Sequence, residues 1–112
     1  MDSPAITPAA QRGYDQIVER MEQEHGVNTS RMFGMPALLL DRKAFAGLYG
    51  GAMVFKLGGD AHTAALELAG AELFDPSQLG RPMKAWVVVP ASHAGQWDGL
   101  ADQALAAAKS GR

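Results

Sequence analysis

The sequence predicts an α+β domain: a mostly antiparallel sheet of about five strands with flanking helices, in the order α-β-β-β-α-β-β-α. Three observations carry this. Apolar residues recur at helical spacing near both ends of the chain. Between them, "SRMFGMPALLLDRKAFAGLYGGAMVFKL" (Ser30 to Leu57) alternates short apolar runs with turn signals. Later, "MKAWVVV" (Met83 to Val89) is rich in valine and stops at Pro90.

Taken in order, residues 1–6 read as a frayed tail. "TPAAQRGYDQIVERMEQEHG" follows as a helix. Thr7 suits the N-cap and Pro8 the first helical position. Tyr14, Ile17, Val18 and Met21 give it one apolar face, and Gly26 can take the left-handed conformation that ends it. Gly13 weakens its first turns by up to about 1 kcal/mol relative to alanine.

Arg31 to Leu40 reads as the first strand, with Pro36 marking an edge or a bulge because it lacks a donor. Asp41-Arg42-Lys43 is a polar break, and Ala44 to Tyr49 is the second strand. Gly50-Gly51 signals a two-residue hairpin, since paired glycines allow the positive φ of primed turns. Ala52 to Leu57 completes an antiparallel meander. Gly58-Gly59 then leads to Asp60 as an N-cap, with "DAHTAALELAG" a short helix closed by Gly70. Glu72 to Asp75 is a short strand, "PSQLGRP" a loop, and Met83 to Val89 the last strand. A final alanine-rich helix spans about Ser92 to Lys109, with Trp97, Leu100, Ala101, Ala104, Leu105 and Ala108 on one side.

The 112 residues read as one domain with a formal charge of −2. That charge argues against a strongly electrostatic nucleic-acid binder, although a local basic patch fits within it. Absence of cysteine removes disulfides, thiol nucleophiles and thiolate metal sites. The N-terminus carries an acid at position two and no apolar core, so it does not read as a signal peptide, and no run reaches the ~20 residues of a membrane span. The expectation is a soluble cytoplasmic protein with no membrane partner.

His25, His62 and His93 are scattered without metal-ligand spacing, so no metal site is expected. "KLGGDAH" has a glycine pair before a helix but no Walker pattern, and reads as a strand-to-helix turn. Asp98 and Asp102 lie four apart on a helix with no third ligand, and no G-x-S-x-G elbow occurs. Catalytic residues and cofactors are therefore not expected, and the chain reads as no enzyme. Lys84 and Trp86 share a strand face, Arg81 precedes them, and Lys56 ends the third strand. Such a face could bind a protein or nucleic acid; in the alternative reading the lysine stems cover sheet edges and Trp86 is core. The strands carry bulky residues on both faces, which predicts that both are covered. A homodimer burying part of the sheet or its flanking helices would do so, and a monomer with "FDPSQLGRPMK" folded over that face is the other outcome.

"RMFGMPALLLDRKAFAGLYGGAMVFKL", followed by "LFDPSQLGRPMKAWVVVP" and the alanine-rich helix, resembles the N-terminal domain of the TfoX/Sxy family from about Tyr14 to Ala108. The most specific parts are Arg31-Met32-Phe33-Gly34, Phe45-Ala46, Lys56, and Pro82 to Pro90 around Trp86. More distantly, the layout is similar to YjbR-type domains. The resemblance implies a role near transcription, as in competence regulators that act with the cyclic-AMP receptor protein at promoters, and it carries over no catalytic residue. Those regulators have a second, C-terminal helical domain, so this chain is expected to be a stand-alone N-terminal domain. The leading expectation is a small non-enzymatic interaction module, regulatory in role, that meets an unknown protein partner through Arg31, Phe33, Lys56, Lys84 and Trp86. The alternatives are a nucleic-acid binder using Lys56, Arg81, Lys84 and Trp86, and a small-ligand binder with a pocket between sheet and helices.

Overall fold

The structure is a computed structural model and describes residues 5–76, 80 and 82–110. Helix α1 runs Pro8–His25, and its ends follow the capping chemistry read from the sequence. Thr7 Oγ1 accepts from the Ala10 N–H at 3.3 Å, and Gly26, at φ 65°, donates its N–H to the Glu22 carbonyl. Ala10, Tyr14, Ile17 and Met21 form its buried stripe.

Six strands follow the helix rather than five: β1 Asn28–Met32, β2 Met35–Leu40, β3 Lys43–Tyr49, β4 Ala52–Lys56, β5 Glu72–Phe74 and β6 Met83–Pro90. They form one sheet in the order β1-β2-β3-β4-β6-β5, antiparallel at every pairing. The expected strand from Arg31 to Leu40 is a hairpin. Phe33 and Gly34 take φ of 53° and 77° between the facing pair Met32 and Met35, as a primed turn requires. Asn28-Thr29-Ser30 is polar because β1 is an edge strand exposed along most of its length. Pro36 faces Arg31 on β1, and the register between β2 and β3 starts one residue later, at Ala37.

The second turn, Asp41-Arg42, is also primed, with φ of 51° and 71° on two residues that are not glycine. In the third, Gly50-Gly51 joins the facing residues Tyr49 and Ala52 as the glycine pair implied. Only Gly50 takes positive φ, 62°, which is the demand of a II′ turn.

Helix α2 covers Gly59–Leu66, so Gly58 and not Asp60 is its N-cap, and it stops before Gly70. The last helix is likewise divided. A 3-10 segment, Ala91–Gln96, bends at His93 before α3, Trp97–Lys109. The bend lets the Trp97 indole turn inward, where its Nε1 donates to the Val89 carbonyl at 3.2 Å. Trp97 also explains Gly13. A Cβ there would stand 2.9 Å from the indole ring, so the glycine is needed for close packing of α1 against the Trp97 side chain. At the surface Arg20 ties the same two helices together through Asp98 and Asp102, at 3.1 and 2.9 Å.

All three helices cover one sheet face. The core there joins Tyr14, Ile17 and Met21 to Phe45, Phe55, Val87, Trp97 and Leu105, and Ala65 of α2 belongs to it. The opposite face carries no helix among the described residues. It nevertheless buries Met35, Val54, Phe74 and Trp86. The sheet covers this face by curling. Phe33, in the turn at one edge, meets Phe74 of the opposite edge strand at 6.4 Å between ring centroids, and Tyr49 meets Phe74 at 5.0 Å. Register shifts at Leu38/Leu39 and Leu73/Phe74 supply local bends. Part of the other expected cover, "FDPSQLGRPMK", lies outside the described residues.

Candidate functional site

The residues singled out in the sequence fall into two places. Arg31 and Phe33 belong to the first hairpin. A phenylalanine in the left-handed region is strained, because its Cβ crowds the following carbonyl. The fold holds it there in two ways. Arg31 reaches across the turn and donates from Nη1 to the Gly34 carbonyl at 3.0 Å. On the opposite side the Phe33 ring leans edge-on against Phe74. Phe33 is nevertheless 56% exposed, the most exposed large apolar residue among the described residues, with Ile6 next at 38%. Beside it runs the β1 edge, whose outward backbone groups have no strand partner among the described residues. In other proteins, extended segments add as strands to open sheet edges.

Lys56 and Lys84 lie toward the other end of the strands. Lys84 is exposed on β6, and its carbonyl is 2.7 Å from His62 Nε2 of α2. Lys56 ends β4, where its Cα faces that of Trp86. Trp86 itself is 5% exposed and belongs to the buried cluster of the helix-free face, so the reading of it as core is the one found. It offers no free ring on which a base could stack. Arg81 lies outside the described residues.

The sequence reading did not single out Lys43. It lines the same cavity as Lys56, a space of about 200 Å³ between the β3 and β4 ends and the last turns of α3. Phe45 and Leu57 form apolar wall, and Ala104, Ala107 and Ala108 face them. The signal that could have found it is the alanine run of α3, whose short side chains leave room where the sheet ends. Ser110 closes that helix by donating its N–H to the carbonyls of Ala106 and Ala107, at 3.2 Å each.

Among the described residues, one buried side-chain polar group lacks a protein partner, the Tyr14 hydroxyl. Burial, with smaller contributions from Asp15 and Glu22, pushes its pKa well above the ordinary tyrosine value, so it stays protonated. Among the described residues no group of three or more histidine, aspartate or glutamate side chains could hold a metal ion, and no helix is long and apolar enough to cross a membrane.

The model of one protein family, described as the TfoX N-terminal domain, matches residues 19–110. That span holds all six strands, α2, α3 and both places described above. No curated protein and no solved structure matches the chain.

Proposed function

We propose, on the premise that the chain belongs to the TfoX N-terminal domain family, that it is a small non-enzymatic interaction module with a regulatory role in transcription, working in the cytoplasm as one domain. The observation that carries this reading is Phe33. Phe33 is 56% exposed while held at φ 53° by Arg31 and Phe74, so only part of this apolar side chain is used in covering the sheet. Strain of this kind persists where the surroundings enforce it, and exposed aromatics beside arginine are the usual anchors of protein interfaces. Arg31 and Phe33 are the contact residues of this proposal. Lys56 and Lys84 add positive charge toward the far end of the strands.

The test uses labelled promoter DNA, the cyclic-AMP receptor protein and the purified chain, followed by fluorescence anisotropy. The expected result is a rise in anisotropy when the chain is added to the DNA–receptor complex and none with DNA alone. Phe33→Ser should weaken the rise about tenfold or more, the loss typical of an interface anchor. Binding to DNA alone at moderate salt would support the nucleic-acid reading in its place. No response to the complex would remove the receptor-linked role.

The homodimer also belongs to this proposal, with the open β1 edge as its support. Two copies paired edge to edge would satisfy the outward backbone groups of Asn28–Met32. Sedimentation equilibrium decides it: a one-chain mass at every concentration up to about 100 μM excludes association tighter than roughly −5 to −6 kcal/mol.

A further inference from the structure

We propose that the cavity between the sheet and the end of α3 is a binding site for a small monocarboxylate with an apolar body. The site is separate from the Phe33 surface and does not depend on it. Its walls are mostly hydrocarbon: Phe45 and Leu57 on the sheet side, Ala104 and Ala107 on the helix. At about 200 Å³ it is smaller than the roughly 300–1,000 Å³ of drug-sized pockets, so the ligand is a short one.

Charge gives the chemistry of its polar end. Lys43 and Lys56 line the cavity, and neither makes an ion pair or a side-chain hydrogen bond among the described residues. Both are exposed, so both ammonium groups are free to turn toward a ligand. Two cations beside an apolar cavity complement an anion that carries a hydrocarbon body. Two helix ends border this cavity: the C-terminus of α3, with the negative end of its dipole, and the N-cap of α2 at Gly58, with the positive end. The two ends offset each other, so the two lysines set the charge of the site, and a phosphate dianion needs more donors than two lysines offer. A single carboxylate on the lysine side, with its chain against the alanines, satisfies all three constraints.

The test is a titration of the full-length chain with octanoate, read by amide ¹H–¹⁵N chemical shifts, with octanol and inorganic phosphate as separate probes. Saturable octanoate shifts at Leu57, Gly58, Ala104 and Ala107 are expected. Octanol should bind at least tenfold more weakly, and so should octanoate to the Lys43→Gln/Lys56→Gln double variant, whose two sites are exposed and carry no packing. Ala107→Leu, which fills the cavity from a partly buried position, should abolish the shifts while the spectrum stays that of a folded chain. No saturable shift up to about 10 mM, a concentration that would reveal even millimolar affinity, overturns the site. Equal affinity for octanol, or no loss in the double variant, overturns the carboxylate assignment. Phosphate saturating the same residues in preference to octanoate overturns it as well.

Discussion

The two faces of the sheet bury their apolar side chains by different means, and the helix-covered face buries many more of them. On one face three helices supply the cover, and contacts such as Trp97 against Gly13 join elements far apart in the chain. On the other face the sheet covers itself: its edges curl until Phe33 and Tyr49 reach Phe74. The strands carry bulky residues on both sides, which read as a demand for cover, by a second copy of the chain or by the chain's own "FDPSQLGRPMK" segment. Among the described residues part of that cover comes from the sheet itself, because bends at two bulges let a twisted sheet close over its own side chains. An apolar face is therefore evidence of an interface only after its curvature is known. What remains exposed is the small residue of incomplete closure, the Phe33 ring.

Truncation should separate the two faces. Trp97→Ala removes the largest fully buried side chain and the donor to Val89, and should cost about 3–5 kcal/mol by denaturant titration. Phe74→Ala should come close behind, at about 3 kcal/mol, if the curled face is a true core. A loss under about 1 kcal/mol would mean that the second face is only loosely closed, and the comparison would fail. The meander that supplies the curl can be tested at its turn. Gly50→Val should cost more than about 1 kcal/mol because a β-branched residue is placed at φ 62°. Gly51→Ala should cost far less, since only Thr7 side-chain atoms lie nearby, at 3.4 Å or more.

The smaller effects run in the favourable direction. Tyr14→Phe deletes the buried hydroxyl that has no protein partner, and should be neutral or stabilising by up to about 1 kcal/mol. Phe33→Asn places a residue suited to the first position of a I′ turn and gives up one edge-on ring contact, so the net change should stay within about ±1 kcal/mol. Unchanged stability with lost partner binding would mark Phe33 as retained for contact. A loss of about 2 kcal/mol or more would instead make it a structural member of the curled face.

Local chemistry was legible in the sequence and long-range geometry was not. Thr7, Pro8 and Gly26 bound the first helix correctly because capping depends on a few neighbouring residues. Gly50-Gly51 was readable for the same reason. The Phe33-Gly34 turn was hidden because phenylalanine is a poor candidate for positive φ, so two strands were taken as one. The polar β1 gave no apolar alternation, since an open edge has little to bury. Of the candidate site, Arg31 and Phe33 were found as residues, but their pairing through the turn follows from the hairpin. Lys43 was missed as a partner of Lys56 because only the hairpin register brings the start of β3 beside the end of β4. The lysine–tryptophan face could not survive folding, since Trp86 faces the interior of the curl.

The chain's connectivity also has a consequence for how it folds. The strands β1 to β4 are joined by three successive two-residue turns, so their pairings close the shortest loops a hairpin allows. The sixth strand instead inserts between β4 and β5, after a β4–β5 connection that passes through α2 and skips one position, and α3 follows it in the chain. Loop-closure entropy thus favours the four-strand meander as the nucleus of the transition state. Stopped-flow kinetics should show it: Gly50→Val slows refolding, whereas Leu105→Ala in α3 mainly accelerates unfolding. The reverse pattern would place nucleation in the helices. With the meander early and α3 late, the wall that α3 gives to the lysine cavity is the last part of the molecule to be completed.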